Sequence, residues 1–168
     1  SVSIRPNATQ ITLINNAFAA QGINVIQDYG QGGVFSGGNS ISDADGDIAD
    51  PVLCLLSGAG GICTTGDLHV YKNANLASDR KNYFHYALHV INMNKSDESE
   101  VQASGYAEIE GNDFIMAYGK MGDLTDFKIA STIMHELGHN LNLYHGGNSS
   151  GKNYSPNYNS IMNYQYQF

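Results

Sequence analysis

The sequence predicts an α+β fold in a single domain that spans residues 1–168, because segments with helical periodicity and segments with strand-like composition occur in the same chain. A chain of this length can bury one hydrophobic core, and no linker or internal repeat divides it. Apolar residues recur at intervals of three and four in two segments, and short apolar runs bounded by turn residues occur elsewhere. We therefore expect a sheet of about four to five strands, an N-terminal helix and a second, longer helix.

Both helices are predicted from the spacing of their apolar residues. The first covers residues 9–21 and ends at Gly22. The second covers residues 124–141, and Asp123 or Thr125 caps its start. Its expected buried stripe consists of Phe127, Ala130, Met134, Leu137 and Leu141. If the chain ended in nature at Phe168, the underside of this helix would need cover, so we expect either a longer natural chain or cover by helix 9–21.

The predicted strands are short runs of apolar and β-branched residues. They cover residues 23–26, 68–71, 83–93, 105–109 and 114–118. Residues 110–113, Glu-Gly-Asn-Asp, join the last two as a turn. Residues 30–66 are rich in Gly, Ser, Asp and Asn and are expected to be mostly loop.

Composition and charge exclude several classes of protein. The net charge is −8 and Lys and Arg form no cluster, so we expect neither nucleic acid nor anionic membrane as a partner. No run of 18 apolar residues is present, so no membrane span is expected. Only 14% of the residues are charged, and Gly, Asn, Ser and Tyr supply the remaining polarity. This composition is typical of a loop-rich secreted protein, and we take a monomer as the default.

Two features of the first half of the chain each have two interpretations. Cys54 and Cys63 flank a short flexible loop, and a disulfide between them would contribute roughly 2–3 kcal/mol and imply an oxidising compartment; two free thiols are the alternative. Four aspartates have the oxygen-rich spacing of a calcium loop, although Gly46 comes too early for an EF-hand, so a solvated acidic turn is the alternative. These aspartates are Asp43, Asp45, Asp47 and Asp50.

The strongest chemical signal lies in the second helix, where His135-Glu136-Leu137-Gly138-His139 places two histidines four residues apart. Residues at this spacing share one helix face, so both imidazoles can reach one ion while Glu136 stands beside it. A catalytic zinc takes three protein ligands, and His145 is the candidate for the third. The chain must reverse before His145, and Asn142 is where a left-handed residue would end the helix.

This pattern resembles the long zinc motif of the metzincin metallopeptidases, His135-Glu136-x-x-His139-x-x-x-x-x-His145. Family members usually carry Gly at the position of Asn142. The segment Ser160-Ile161-Met162-Asn163-Tyr164 resembles the family's Met-turn, and Gly105-Tyr106-Ala107 resembles the edge strand on which the family lays its substrate.

The resemblance implies a twisted mixed sheet with an active-site helix, and a secreted zinc endopeptidase of bacterial type. Glu136 would be the general base, Tyr164 would donate a hydrogen bond to the oxyanion, and Met162 would support the site by packing. The strand formed by Gly105, Tyr106 and Ala107 would pair with an extended peptide. A zinc module without activity and a zinc hydrolase of cell-wall amides are the alternatives.

Three further histidines are interpreted mainly as structural. His85 and His89 are expected on one face of a strand, with contact to substrate or to a second ion as the alternative. His69 is expected to have a structural role.

Overall fold

The computed structural model describes residues 5–41, 67–93, 102–147 and 152–167. In these ranges the chain forms three α-helices, a three-stranded mixed sheet and a short 3-10 turn at Tyr118–Lys120. The helices are α1 (Ala8–Ala19), α2 (Asp67–Asn75) and α3 (Asp126–Asn140), and the strands are β1 (Tyr86–Val90), β2 (Gly105–Ala107) and β3 (Asp113–Ala117). The α+β class is confirmed, as are an N-terminal helix and a longer helix late in the chain.

The sheet has the strand order β1-β3-β2. Strand β3 pairs in parallel with β1 and antiparallel with β2, which makes β2 an edge strand among the described residues. All five residues of β3 are buried, because helices cover both faces of the sheet. Its side chains alternate: Phe114 and Met116 belong to one buried cluster, and Ile115 and Ala117 to another.

The first cluster joins the sheet to the two longer helices. Ile14 from α1 packs there with Ile129, Ala130 and Ile133 from α3. Helix α1 also begins with a capping box, because Asn7 and Gln10 each accept a hydrogen bond from the other's backbone N–H. Both side chains then donate to Asp126 in the first turn of α3. Helix α1 therefore covers part of α3, as one branch of the sequence prediction expected.

The end of α3 has the geometry of a Schellman motif. Asn142 has a φ of 65°, and its N–H donates to the carbonyl of His139 at 2.9 Å. The N–H of Leu143 donates to the carbonyl of Gly138 at 2.9 Å. Asn142 thus takes the left-handed position that glycine usually fills, and the chain reverses towards His145.

Two of the predicted strands are wrong. Residues 23–26 are irregular, and Ile23 and Ile26 are 49% and 64% exposed, because no neighbouring strand pairs with them in the described part. Residues 68–71 lie in α2, where Leu68 and Lys72, one helical turn apart, are buried. The expected four to five strands are therefore three in the described ranges.

The predicted stripe of α3 is partly wrong. Phe127 and Leu141 are 55% and 49% exposed, because they lie at the two ends of the helix. Between them, buried residues occur on all sides of the helix, since α1 packs on one side and the sheet on another. Ala130 is buried, and Met134 and Leu137 pack partly buried against the first cluster.

Candidate metal centre

Helix α3 brings two of the three histidines together. His135 and His139 are one turn apart, both are buried, and their ring centroids lie 4.8 Å apart in an edge-to-face arrangement. Beyond the Schellman motif, the Nε2 atom of His145 lies 3.2 Å from Nε2 of His135 and 2.9 Å from Nε2 of His139. Three ring nitrogens thus converge on one point, and the residues that carry them span only ten positions of the sequence.

Backbone carbonyls fix the tautomers of the two helical histidines. His135 donates from Nδ1 to the carbonyl of Ile161 at 2.7 Å, and His139 donates from Nδ1 to the carbonyl of Leu143 at 2.8 Å. When each ring is neutral, its Nε2 atom therefore carries a lone pair that points towards His145. Burial lowers the pKa of both rings to about 4, so they are neutral at pH 7.

Neutral histidine rings with converging lone pairs are a donor set that can bind a metal ion. If Nε2 of His145 carries a proton, it can donate that proton to Nε2 of only one of the other two rings. The Nε2 lone pair of the remaining ring then faces a nitrogen at hydrogen-bond distance without a proton between them. A cation at the centre satisfies all three atoms. The carbonyls of Ile161 and Leu143 then act as the outer partners that orient the ligands.

Glu136 lies beside this point, between the histidines and the edge strand. The residue is buried, and burial raises the pKa of its carboxyl to about 8. A divalent cation on the neighbouring histidines would lower that pKa again, because an opposite charge favours the carboxylate. Gly105 in β2 makes room for this side chain: a Cβ atom on Gly105 would lie 2.5 Å from Oε1 of Glu136.

Tyr164 covers the histidines from the solvent side. Its ring centroid is 4.1 Å from that of His145 and 5.6 Å from that of His135. Burial, Glu136 and the nearby Tyr106 and Tyr154 raise the pKa of its hydroxyl to about 12. The hydroxyl therefore keeps its proton at neutral pH and remains a hydrogen-bond donor.

The turn around Met162 packs against helix α3. Met162 is buried, and its sulfur contacts the helix at Gly138, where any Cβ would collide with it. Asn163 holds the turn, because its side-chain amide donates to the carbonyls of Ser155 and Tyr158. The same turn supplies the Ile161 carbonyl that orients His135.

An open depression of about 420 Å³ begins at the residues that follow His145 in the sequence. Its walls come from the segment directly after His145 and from residues 155–158. The lining residues are Gly146, Gly147, Ser155, Pro156, Asn157 and Tyr158.

The other predicted site residues have mixed outcomes. Cys54, Cys63 and the four aspartates of the calcium prediction lie outside the described residues. His85 and His89 contact different residues. Nδ1 of His85 is 3.0 Å from Oδ1 of Asn140, and Nδ1 of His89 is 2.7 Å from the hydroxyl of Tyr118.

Sequence reasoning missed Asn140. This buried side chain directly follows His139 and donates to the backbone carbonyls of Glu108 and Asp113 at 2.8 and 2.9 Å. It joins the end of helix α3 to the β2–β3 hairpin. In the sequence, an asparagine at the buried end of a helix indicates a side chain that needs hydrogen-bond partners. The spacing of the sequence does not show which residues those partners are.

Comparisons with protein-family models, with curated proteins and with solved structures give no match for this chain. Among the described residues, no helix combines the length and the apolar character needed to cross a bilayer.

Proposed function

We propose that this chain is a zinc-dependent endopeptidase of the metzincin type. The observation that carries the proposal is the convergence of the three Nε2 atoms of His135, His139 and His145 beside the buried carboxyl of Glu136. Two contacts support the resemblance in sequence: Met162 packs against the helix at Gly138, and the ring centroid of Tyr164 lies 4.1 Å from that of His145. The long zinc motif and these two supports favour this family over other zinc hydrolases.

The three histidines would hold the metal through Nε2. Bound there, zinc supplies a Lewis acid for the scissile carbonyl and for the attacking water. Glu136 takes a proton from that water and later gives it to the leaving amine. Tyr164, whose hydroxyl is protonated at neutral pH, donates a hydrogen bond to the oxygen on which negative charge develops.

Strand β2 would hold the substrate. It pairs with β3 on one side, and its other side has no strand partner in the described residues. An extended peptide that adds to this edge lies next to Glu136, because Gly105 is in contact with that carboxyl group. The depression between residues 146–147 and 155–158 would receive a side chain beyond the scissile bond.

Casein hydrolysis tests the proposal. We expect the protein to cleave casein, to lose this activity with phenanthroline and to regain it with zinc. Glu136→Ala should retain zinc and lose about 10²–10⁴-fold in kcat, because the base makes no bond to the metal. Asp123→Ala is the control, since Asp123 is an exposed carboxylate in the loop before α3 and far along the helix from the histidines.

Two results would contradict the proposal. Activity above about 10% of wild type in Glu136→Ala would exclude the base role. Release of fragments from peptidoglycan, with intact casein, would favour the cell-wall amide hydrolase instead.

A further inference from the structure

A second cluster of potential metal ligands lies away from the three histidines. It consists of His69 from α2 and of Glu108 and Asp113 from the two sides of the β2–β3 turn. Nε2 of His69 is 3.1 Å from Oε1 of Glu108, and Nδ1 of the same ring is 3.5 Å from Oδ2 of Asp113. One ligand atom from each of the three residues can be chosen so that all lie within 4.8 Å of one another.

Three polar atoms of this cluster are buried without an aligned hydrogen bond: Nε2 of His69 and the two carboxylate oxygens of Asp113. Asp113 still has a charged neighbour, because the ammonium group of Lys72 lies against Oδ1. Nε2 of His69 has no donor or acceptor aligned with it, although Glu108 is only 3.1 Å away. Native proteins rarely leave a buried polar atom without a partner, so this nitrogen points to an ion.

Short distances without alignment are what the ligands of one ion show. Two ligands at about 2.1 Å from a metal and about 90–110° apart are separated by about 3.0–3.4 Å, while each lone pair points at the metal and not at the other ligand. The 3.1 Å between Nε2 of His69 and Oε1 of Glu108 falls in this range. Asp113 is in contact with the other ring nitrogen, so its carboxylate would have to move towards Nε2 to become the third ligand.

Lys72 is the competing cation at this site. Its Nζ lies 2.5 Å from Oδ1 of Asp113 and donates to Oδ1 of Asn112 at 2.8 Å. With a neutral imidazole, the two carboxylates and this ammonium group sum to one negative charge. A divalent cation would offset the remaining negative charge, and Lys72 would keep Asn112 as a partner if the ion displaced it from Asp113.

We propose that His69, Glu108 and Asp113 form a second, structural binding site for a divalent transition metal such as zinc. One imidazole nitrogen and two carboxylate oxygens suit zinc, whereas calcium and magnesium favour ligand sets made only of oxygen. The ion fastens α2 to the hairpin that carries the edge strand. Asn140 then transmits this order to the active-site helix, because it bonds to the carbonyls of both Glu108 and Asp113.

The number of zinc ions per chain tests this site. After equilibration with zinc at pH 7.5 and removal of the free metal, we expect about two zinc ions in the wild type and about one in Glu108→Gln and in His69→Gln. Glu110→Gln is the matched control, because it removes the same charge from the exposed turn and should keep about two. The double variant His139→Ala/His145→Ala should lose only the ion of the histidine centre.

One zinc ion in the wild type that both Glu108→Gln and His69→Gln retain overturns the second site. Two ions in wild type, Glu108→Gln and His69→Gln alike would also exclude it. Either result would leave the contacts among Lys72, His69 and the two carboxylates, without an ion, as the explanation of the cluster. The proposed peptidase activity fails separately, if two zinc ions bind and casein stays intact.

Discussion

Asn142 shows how one residue places the third ligand. Its φ of 65° allows the chain to turn back after α3, and its N–H and that of Leu143 close the last helical turn. Asparagine tolerates the left-handed conformation better than most residues, but less well than glycine. Its side chain also donates to Oε1 of Glu110 at 2.6 Å on the surface.

Replacing Asn142 separates the backbone role from the side-chain role. Asn142→Gly relieves the left-handed strain and loses an exposed hydrogen bond, so we expect its free energy of unfolding within about 1 kcal/mol of wild type. Asn142→Ala keeps the strain and loses the same bond, and should be less stable than the glycine variant by about 1 kcal/mol or more. Urea unfolding of the three proteins measures this. Equal stability of the two variants would contradict a backbone role.

Gly105 is the second position where a single atom decides the geometry. In Gly105→Ala the new methyl group would lie 2.5 Å from the carboxylate of Glu136, so that side chain must move. Under the proposed function, we expect zinc content to remain and kcat to fall by about 10–100-fold, because small misplacements of a catalytic group are costly. Loss of zinc together with activity would instead mean that the substitution disturbs the whole strand.

At the scale of elements, the parts predicted correctly are those that depend on local sequence. The β2–β3 hairpin followed from a turn signal between two apolar runs, and α3 followed from its periodicity and from Thr125, which caps it. The convergence of the three histidines was also local, since the helix and the turn at Asn142 bring them together within a short segment.

The parts that were missed depend on contacts between distant segments. A run of four residues such as 68–71 fits a strand or a buried helix equally well, and only packing decides between them. The cluster of His69, Glu108 and Asp113 joins residues about 40 positions apart, so no spacing rule could reveal it. For the same reason, the partners of Asn140 became visible only in the fold.

The contact between α3 and the turn at Met162 makes a prediction for two elements. Gly138→Ala introduces a methyl group against the sulfur of Met162 and should destabilise the protein by about 1–3 kcal/mol. Met162→Ala leaves a cavity and should cost about 2–5 kcal/mol. In the double variant the new methyl group enters that cavity, so its cost should be less than the sum of the two. Additive costs in a double-mutant cycle would show that the two residues do not interact.

For the molecule as a whole, buried histidines connect stability with pH. The half-buried ring of His89 lies against the Tyr118 hydroxyl in the sheet, apart from the metal centre. Burial lowers its pKa to about 4, as it does for His135 and His139. Between the usual histidine pKa and this lowered value, the folded state binds fewer protons than the unfolded state, so stability is lost as the pH falls.

Substituting His89 isolates its share of this pH dependence. His89→Asn keeps a polar atom near the Tyr118 hydroxyl but cannot take up a proton. Between about pH 6.5 and 4, each fully effective group reduces the free energy of unfolding by about 1.4 kcal/mol per pH unit. We therefore expect the wild type to lose stability more steeply than His89→Asn in this window, and the two slopes to agree above about pH 7, where His89 is neutral in both states. His135 and His139 titrate in both proteins, so the difference in slope belongs to His89 alone. Urea unfolding at a series of pH values gives both slopes, and parallel curves down to pH 4 would show that the folded protein protonates His89 without cost.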